Sequence, residues 1–129
     1  MSRPAPPCPC GRAAAYADCC GRWHDGPTRL AAPDAESLMR SRYSAYVLGL
    51  VPYLLDTWHP STRPAGLEVD PATKWLGLEV RARAAQDDTH ATVEFVARCR
   101  THGRATRLHE TSRFVREAGR WFYVDGALR

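Results

Sequence analysis

Residues 91–99 read ATVEFVARC, and the alternation of their side chains decides the fold class. Val93, Phe95, Ala97 and Cys99 fall on one face of an extended chain, while mostly polar residues fall on the other. A period of two is typical of a β-strand with one face in the core. The stretch therefore predicts a half-buried strand.

Similar alternating segments lie on both sides of this strand. Leu76, Leu78 and Val80 alternate with polar or small residues before it, and RATRLHETSRFVRE (104–117) and RWFYVDG (120–126) alternate after it. Short turn signals separate the segments: Asp87-Asp88, His102-Gly103 and Ala118-Gly119. Strands joined by tight turns predict an antiparallel meander of about four strands.

The region before the strands has a helical pattern. In residues 33–58, Asp34 is suited to cap a helix, and Gly49 and Pro52 are suited to end it and begin a second short one. One apolar stripe recurs at helical spacing: Met39, Tyr43, Tyr46, Val47 and Leu50. Helices followed by a meander predict an α+β domain, with the helices packed on one curved antiparallel sheet.

Four cysteines crowd into the N-terminal stretch CPCGRAAAYADCC as Cys8, Cys10, Cys19 and Cys20. Disulfides and a redox dithiol are alternatives, although adjacent cysteines form strained bridges and a redox pair usually has C-x-x-C spacing. Four thiolates in two close pairs can instead surround one Zn²⁺ ion and leave no position for water. We therefore expect one structural zinc per chain, with His24 as an alternative to Cys20.

Residues 1–28 contain few large apolar side chains, so we expect this module to fold through its metal. Residues 29–129 carry the helical stripe and the strands, and they form the second predicted domain. The formal charge of +4 falls to about +2 if four thiolates bind one divalent cation. Nucleic acid is therefore a weak candidate partner.

The N-terminal stretch and the hydropathy of the chain indicate the cellular compartment to expect. MSRPAPPCPC has no apolar segment of the kind found in secretory signals. No run approaches the roughly 20 apolar residues of a membrane span. We expect a cytoplasmic protein without a membrane partner, and the sequence does not predict an oligomeric state.

Two resemblances follow from these motifs. CPCGRAAAYADCCG, from Cys8 to Gly21, resembles the SEC-C motif, a zinc knuckle also found at the C-terminus of the SecA translocation ATPase. The segments LMRSRYSAYV, YLLDTWHPSTR, WLGLEV, VEFVAR, LHETSRF and RWFYVDG together resemble the YchJ family. The resemblance implies an N-terminal SEC-C knuckle followed by a cone-shaped domain like nuclear transport factor 2.

Cone-shaped folds of this kind often enclose a cavity, and the strand pattern suggests which polar groups face it. Glu110 shares a strand face with Leu108 and Phe114, so we expect its carboxylate to be buried and paired with an arginine, best Arg42. The candidate pocket residues are Arg42, Tyr43, Tyr46, His59 and Glu110.

Three functions are compatible with these features. The first is a non-catalytic zinc-binding protein whose knuckle presents a surface to a protein or to the ribosome, on a scaffold that could bind a small ligand. The second is an enzyme that uses Glu110 and His59 as acid and base; an arginine partner would lower the pKa of Glu110 and argues against it. The third is RNA binding through Arg12, Arg22 and Trp23.

Overall fold

The computed structural model describes residues 6–129, so the first five residues of the predicted 1–28 module lie outside it. A short 3-10 turn (Tyr16–Asp18) is followed by three helices and then by four strands. The elements are α1 (Gly21–His24), α2 (Ala35–Leu48), α3 (Val51–Asp56), β1 (Thr73–Ala85), β2 (His90–Thr101), β3 (Arg104–Glu117) and β4 (Arg120–Leu128). The strands form one antiparallel sheet in chain order, which confirms the predicted α+β class.

The two hairpins after β2 and β3 have two-residue turns. His102 and Gly103 have φ angles of 51° and 79°, and Ala118 and Gly119 have φ angles of 51° and 75°. Positive φ at both central residues is the geometry of a type I′ turn, which matches the twist of the flanking strands. The turns predicted at His102-Gly103 and Ala118-Gly119 are therefore confirmed.

Helix α2 begins and ends as its sequence predicts. The Asp34 side chain accepts a hydrogen bond from the Ser37 amide at 2.7 Å, and Gly49 ends the helix with a φ of 71°. Nine of the 14 residues are buried, which is more than one apolar stripe supplies. Val47, predicted to belong to that stripe, is exposed.

The core lies between the helices and the inward face of the sheet. Leu54, Val93 and Phe114 are almost fully inaccessible, and Trp23 from the N-terminal module belongs to the same cluster. Cys99, at the end of the inward face of β2, is only half-buried. Among residues 6–129, no helix is both long enough and apolar enough to cross a membrane.

Candidate metal centre and ligand cavity

The four N-terminal cysteines meet in one buried cluster. Their Sγ atoms all lie within 4.8 Å of one another, and each side chain is at most 4% exposed. The chain folds back on itself here, since Cys8 donates its amide proton to the Ala14 carbonyl at 2.8 Å and Gly11 turns with a φ of 90°. All four cysteines are free thiols, so the arrangement is that of a metal site and not of disulfides.

The protonation of these sulfurs also fits a cation. Cys20 donates a hydrogen bond to Cys10, which lowers the pKa of Cys10 to about 4 and raises the pKa of Cys20. Burial raises the pKa of Cys19 to about 11. A thiolate is therefore favoured at Cys10, and a bound cation would offset the burial that raises the pKa of Cys19. The donor set fits a divalent cation that favours sulfur ligands.

His24 lies beside the cluster and is not part of it. Its Nε2 donates to the Ser41 carbonyl at 2.7 Å, and its Nδ1 accepts from the Tyr16 hydroxyl at 2.6 Å. With both ring nitrogens engaged, no lone pair is left for a metal. His24 therefore positions the N-terminal module, and the sulfur of Cys20 remains in the cluster.

Helix α2 supports the cluster from one side. The Ser44 hydroxyl lies 3.6 Å from Cys8 Sγ and also hydrogen-bonds the Cys20 thiol. Arg40 donates from Nη1 to the Cys10 carbonyl at 2.7 Å. The site is therefore built from the knuckle and from the helix together. The N-terminal motif alone did not reveal these helical residues, although serines at 37, 41 and 44 have the spacing of one helix face.

A cavity of about 290 Å³ lies on the other side of α2, between this helix and the sheet. Four of the five predicted pocket residues line it: Arg42, Tyr43, Tyr46 and Glu110. Glu110 faces it together with Leu108, Ser112 and Phe114, which is the strand face that the alternation predicts. The cavity also has walls from Trp75 and Phe95.

The predicted ion pair between Arg42 and Glu110 is wrong. Arg42 is 6% exposed, and its Nη1 donates to the Leu54 carbonyl at 2.7 Å and to the Thr57 hydroxyl at 2.6 Å. Its guanidinium carbon lies 4.4 Å from the centre of the Tyr123 ring. The end of α3 and an aromatic ring thus hold this arginine in place of a carboxylate. Among residues 6–129, neither Arg42 nor Glu110 takes part in an ion pair within 4.0 Å.

The Glu110 carboxylate is half-buried and accepts a hydrogen bond from the Ser112 hydroxyl at 3.2 Å. Burial raises its pKa, although Ser112 and the positive charge of Arg42 act in the opposite direction. The expected lowering of this pKa by an arginine is therefore reversed. Gly126 lies directly against the carboxylate, and a side chain at that position would collide with it.

His59 does not reach the cavity, contrary to the sequence prediction. Its amide bonds to the Tyr123 carbonyl at 2.7 Å, which fixes the chain along β4. The imidazole points to the outer end of the β3–β4 hairpin, where its Nε2 lies 2.9 Å from Glu117 Oε1. Its Nδ1 lies 2.7 Å from the hydroxyl of Ser61, in the loop that follows α3. The acid and base proposed for an enzyme therefore do not share one site.

The residues considered for RNA contact are largely engaged within the protein. Trp23 is 5% exposed, and Arg12 binds Ser37 and Glu36 of α2 at 3.1 and 3.4 Å. Arg22 is exposed, but its guanidinium carbon lies 4.4 Å from the Trp23 ring centre. Only Arg22 of the three presents its side chain outward.

Comparisons with known proteins agree with both parts of this structure. Residues 7–22 match the SEC-C motif, and residues 34–126 match the family described as YchJ, middle NTF2-like domain. A UPF0225 protein of Bordetella pertussis is 68% identical over 123 residues, covering 95% of this chain and 92% of the relative. A UPF0225 protein of Cupriavidus metallidurans is 61% identical over 129 residues, covering 95% and 89%.

Two solved structures have the same fold. One is the solution structure of a SEC-C motif containing protein from Rhodopseudomonas palustris, with a TM-score of 0.81 and 36% identity over 95% of this chain and 98% of that one. The other is the crystal structure of a SEC-C motif containing protein from Psychrobacter arcticus, with a TM-score of 0.78 and 32% identity over 95% and 82%.

Proposed function

The chain belongs to the YchJ family and carries a SEC-C motif at its N-terminus, and from this premise we propose that it is a non-catalytic zinc-binding protein. The cluster of four buried sulfurs carries this proposal. Zn–S distances of about 2.3 Å in a tetrahedron place the sulfurs about 3.8 Å apart, and Cys10 Sγ and Cys19 Sγ lie 3.6 Å apart. Four sulfur ligands fill the coordination sphere and leave no position for a substrate.

The ion would serve to hold the N-terminal module on α2. This chain's own residues complete the site: the Ser44 hydroxyl, 3.6 Å from Cys8 Sγ, can donate to a thiolate there, and Arg40 holds the loop through the Cys10 carbonyl. Hydrogen bonds to thiolates offset part of the negative charge that four of them bring to one cation. The five free cysteines suit a reducing compartment, which supports a cytoplasmic location.

The outward surface of the module would contact a macromolecular partner, either a protein or the ribosome. Ala13, Ala17 and Arg22 are exposed there, while the other side packs on α2. A partly apolar surface held rigid by a metal is suited to recognition because little conformational freedom is lost on binding. Cosedimentation with purified ribosomes tests one partner; an Arg22→Glu variant that cosediments as well as the native protein would argue against this surface.

Elemental analysis after extensive dialysis tests the metal. We expect one zinc per chain, a strong loss of zinc in Cys20→Ser, and retention in His24→Asn and in the matched control Cys99→Ser. A metal-free protein in which residues 8–24 remain folded would refute the assignment. Loss of zinc in His24→Asn alone, with Cys20→Ser unaffected, would move the fourth ligand to His24.

A further inference from the structure

The buried arginine that lines the cavity has side-chain donors without partners in the part of the chain that the structure describes. Arg42 is 6% exposed, and among residues 6–129 its hydrogen bonds all leave from Nη1. Nε and Nη2 have no partner in that part of the chain, and neither is sealed off from solvent. Arg42 lines the cavity, and from this we infer that a molecule inside it would meet these donors. A buried guanidinium without a carboxylate favours an anionic ligand.

Glu110 lines the same cavity and sets a second requirement. One of its oxygens accepts from Ser112 at 3.2 Å, and the carboxylate forms no ion pair among the described residues. A ligand that is only anionic would be repelled by this group. A ligand with a hydrogen-bond donor as well as an anionic group can satisfy both side chains.

The residues that line the cavity limit the size and the polarity of the ligand. The rings of Tyr43 and Tyr46 lie 5.6 and 5.9 Å from the ring of Trp75, and Phe95 and Leu108 also line the space. The volume of about 290 Å³ is near the lower limit of the roughly 300–1,000 Å³ typical of small-molecule sites. The cavity therefore suits a single ring with small substituents.

We propose that this cavity binds a small aromatic carboxylate that carries a hydrogen-bond donor, with its carboxylate on Arg42 and its donor on Glu110. The ring packs among Tyr43, Tyr46 and Trp75. This inference goes beyond the proposed function, because it concerns the cavity between α2 and the sheet and not the sulfur cluster.

The experiment is a titration of the zinc-loaded protein with 4-hydroxybenzoate, followed by the amide resonances of Phe95, Leu108 and Ser112. The neutral probe 4-hydroxybenzamide has nearly the same shape and tests the anionic group without any change to the protein. We expect 4-hydroxybenzoate to shift these resonances and to bind roughly tenfold or more tightly than the amide, because a hydrogen bond to a charged group is lost. Equal affinities, or no shift at millimolar concentration, would overturn the proposal.

Variants locate the site. Arg42→Lys keeps the charge but loses the planar pair of donors, so we expect affinity for 4-hydroxybenzoate to fall roughly tenfold. Arg107→Met is the matched control, since Arg107 is exposed on the same strand as Glu110 and should leave affinity unchanged. If Arg42→Lys does not fold, Leu108→Trp fills the cavity and should abolish binding; native affinity in that variant would refute the site. Zinc content measured on the same samples separates the two proposals, because ligand binding can fail while the metal remains.

Discussion

Removal of the metal should destabilise the whole domain and not the N-terminal module alone. A chelator releases the segment that contains α1 and its Trp23, which is 5% exposed in the common core. Losing the burial of a large aromatic side chain costs about 3–5 kcal/mol. The bonds from His24 to Ser41 and from Arg40 to Cys10, both 2.7 Å, add about 1 kcal/mol each. These contributions total about 5–7 kcal/mol, and for a chain of this length we therefore expect Tm to fall by roughly 20–25 °C.

Calorimetry and amide spectra of the same chelated sample test this expectation. Resonances of α2 from Leu38 to Ala45 should shift or broaden along with those of residues 6–30. The control is Cys19→Ser, in which the site is already broken and the chelator should change Tm little. If only signals before residue 30 collapse, while α2 and Tm are unchanged, then the module folds independently and the contacts to α2 contribute little.

Three further predictions concern single residues. Ser44→Ala should weaken metal affinity about 10–100-fold in competition with a chromogenic chelator, because it removes a donor to the sulfurs, and Ser61→Ala should not. Ala118→Gly should raise the free energy of unfolding by up to about 1 kcal/mol in urea titrations, since Ala118 has a φ of 51° that glycine adopts without strain; an unchanged midpoint would contradict this. Burial raises the folded-state pKa of Glu110 above its ordinary 4.5, so its contribution to stability is present below that pH and is lost as pH rises through the folded-state pKa. Glu110→Gln should therefore melt at or above the wild-type Tm at pH 7 and like the wild type in acid, and a lower Tm at pH 7 would show that the charge is compensated.

The fold could be predicted from the sequence because its signals are local. Alternation in β2, the positive-φ turns at 102–103 and 118–119, and the cap at Asp34 each depend on a few neighbouring residues. The metal cluster was predictable for the same reason, since its four sulfurs lie within 13 residues of one another. The strand phase of Glu110 also followed from its neighbours Leu108 and Phe114.

Contacts between distant elements were not predictable in this way. Alternation shows that Glu110 faces inward, but it does not show how far the Arg42 guanidinium lies from it. That distance depends on the position of α3, because Leu54 in this helix and Thr57 directly after it supply the acceptors for Arg42. The direction of His59 similarly depends on the pairing of Trp58 with Tyr123, residues that are far apart in the chain.

The predicted apolar stripe accounts for only one of the two buried faces of helix α2. Residues at 39, 42, 43 and 46 line the cavity, while residues at 37, 40, 41 and 44 contact the N-terminal module. Both sets follow helical spacing, and an offset of two residues turns one set about 200° from the other. On the second face, the Ser37 hydroxyl accepts from Arg12 and the Ser44 hydroxyl lies 3.6 Å from Cys8 Sγ, whereas Ser41 meets His24 through its backbone carbonyl. The helix is thus buried on two opposite faces, and the metal site and the cavity are built on the same 14 residues. A displacement of α2 at the sulfur cluster is therefore also a displacement of Arg42 and Tyr43, so the two sites cannot be structurally independent.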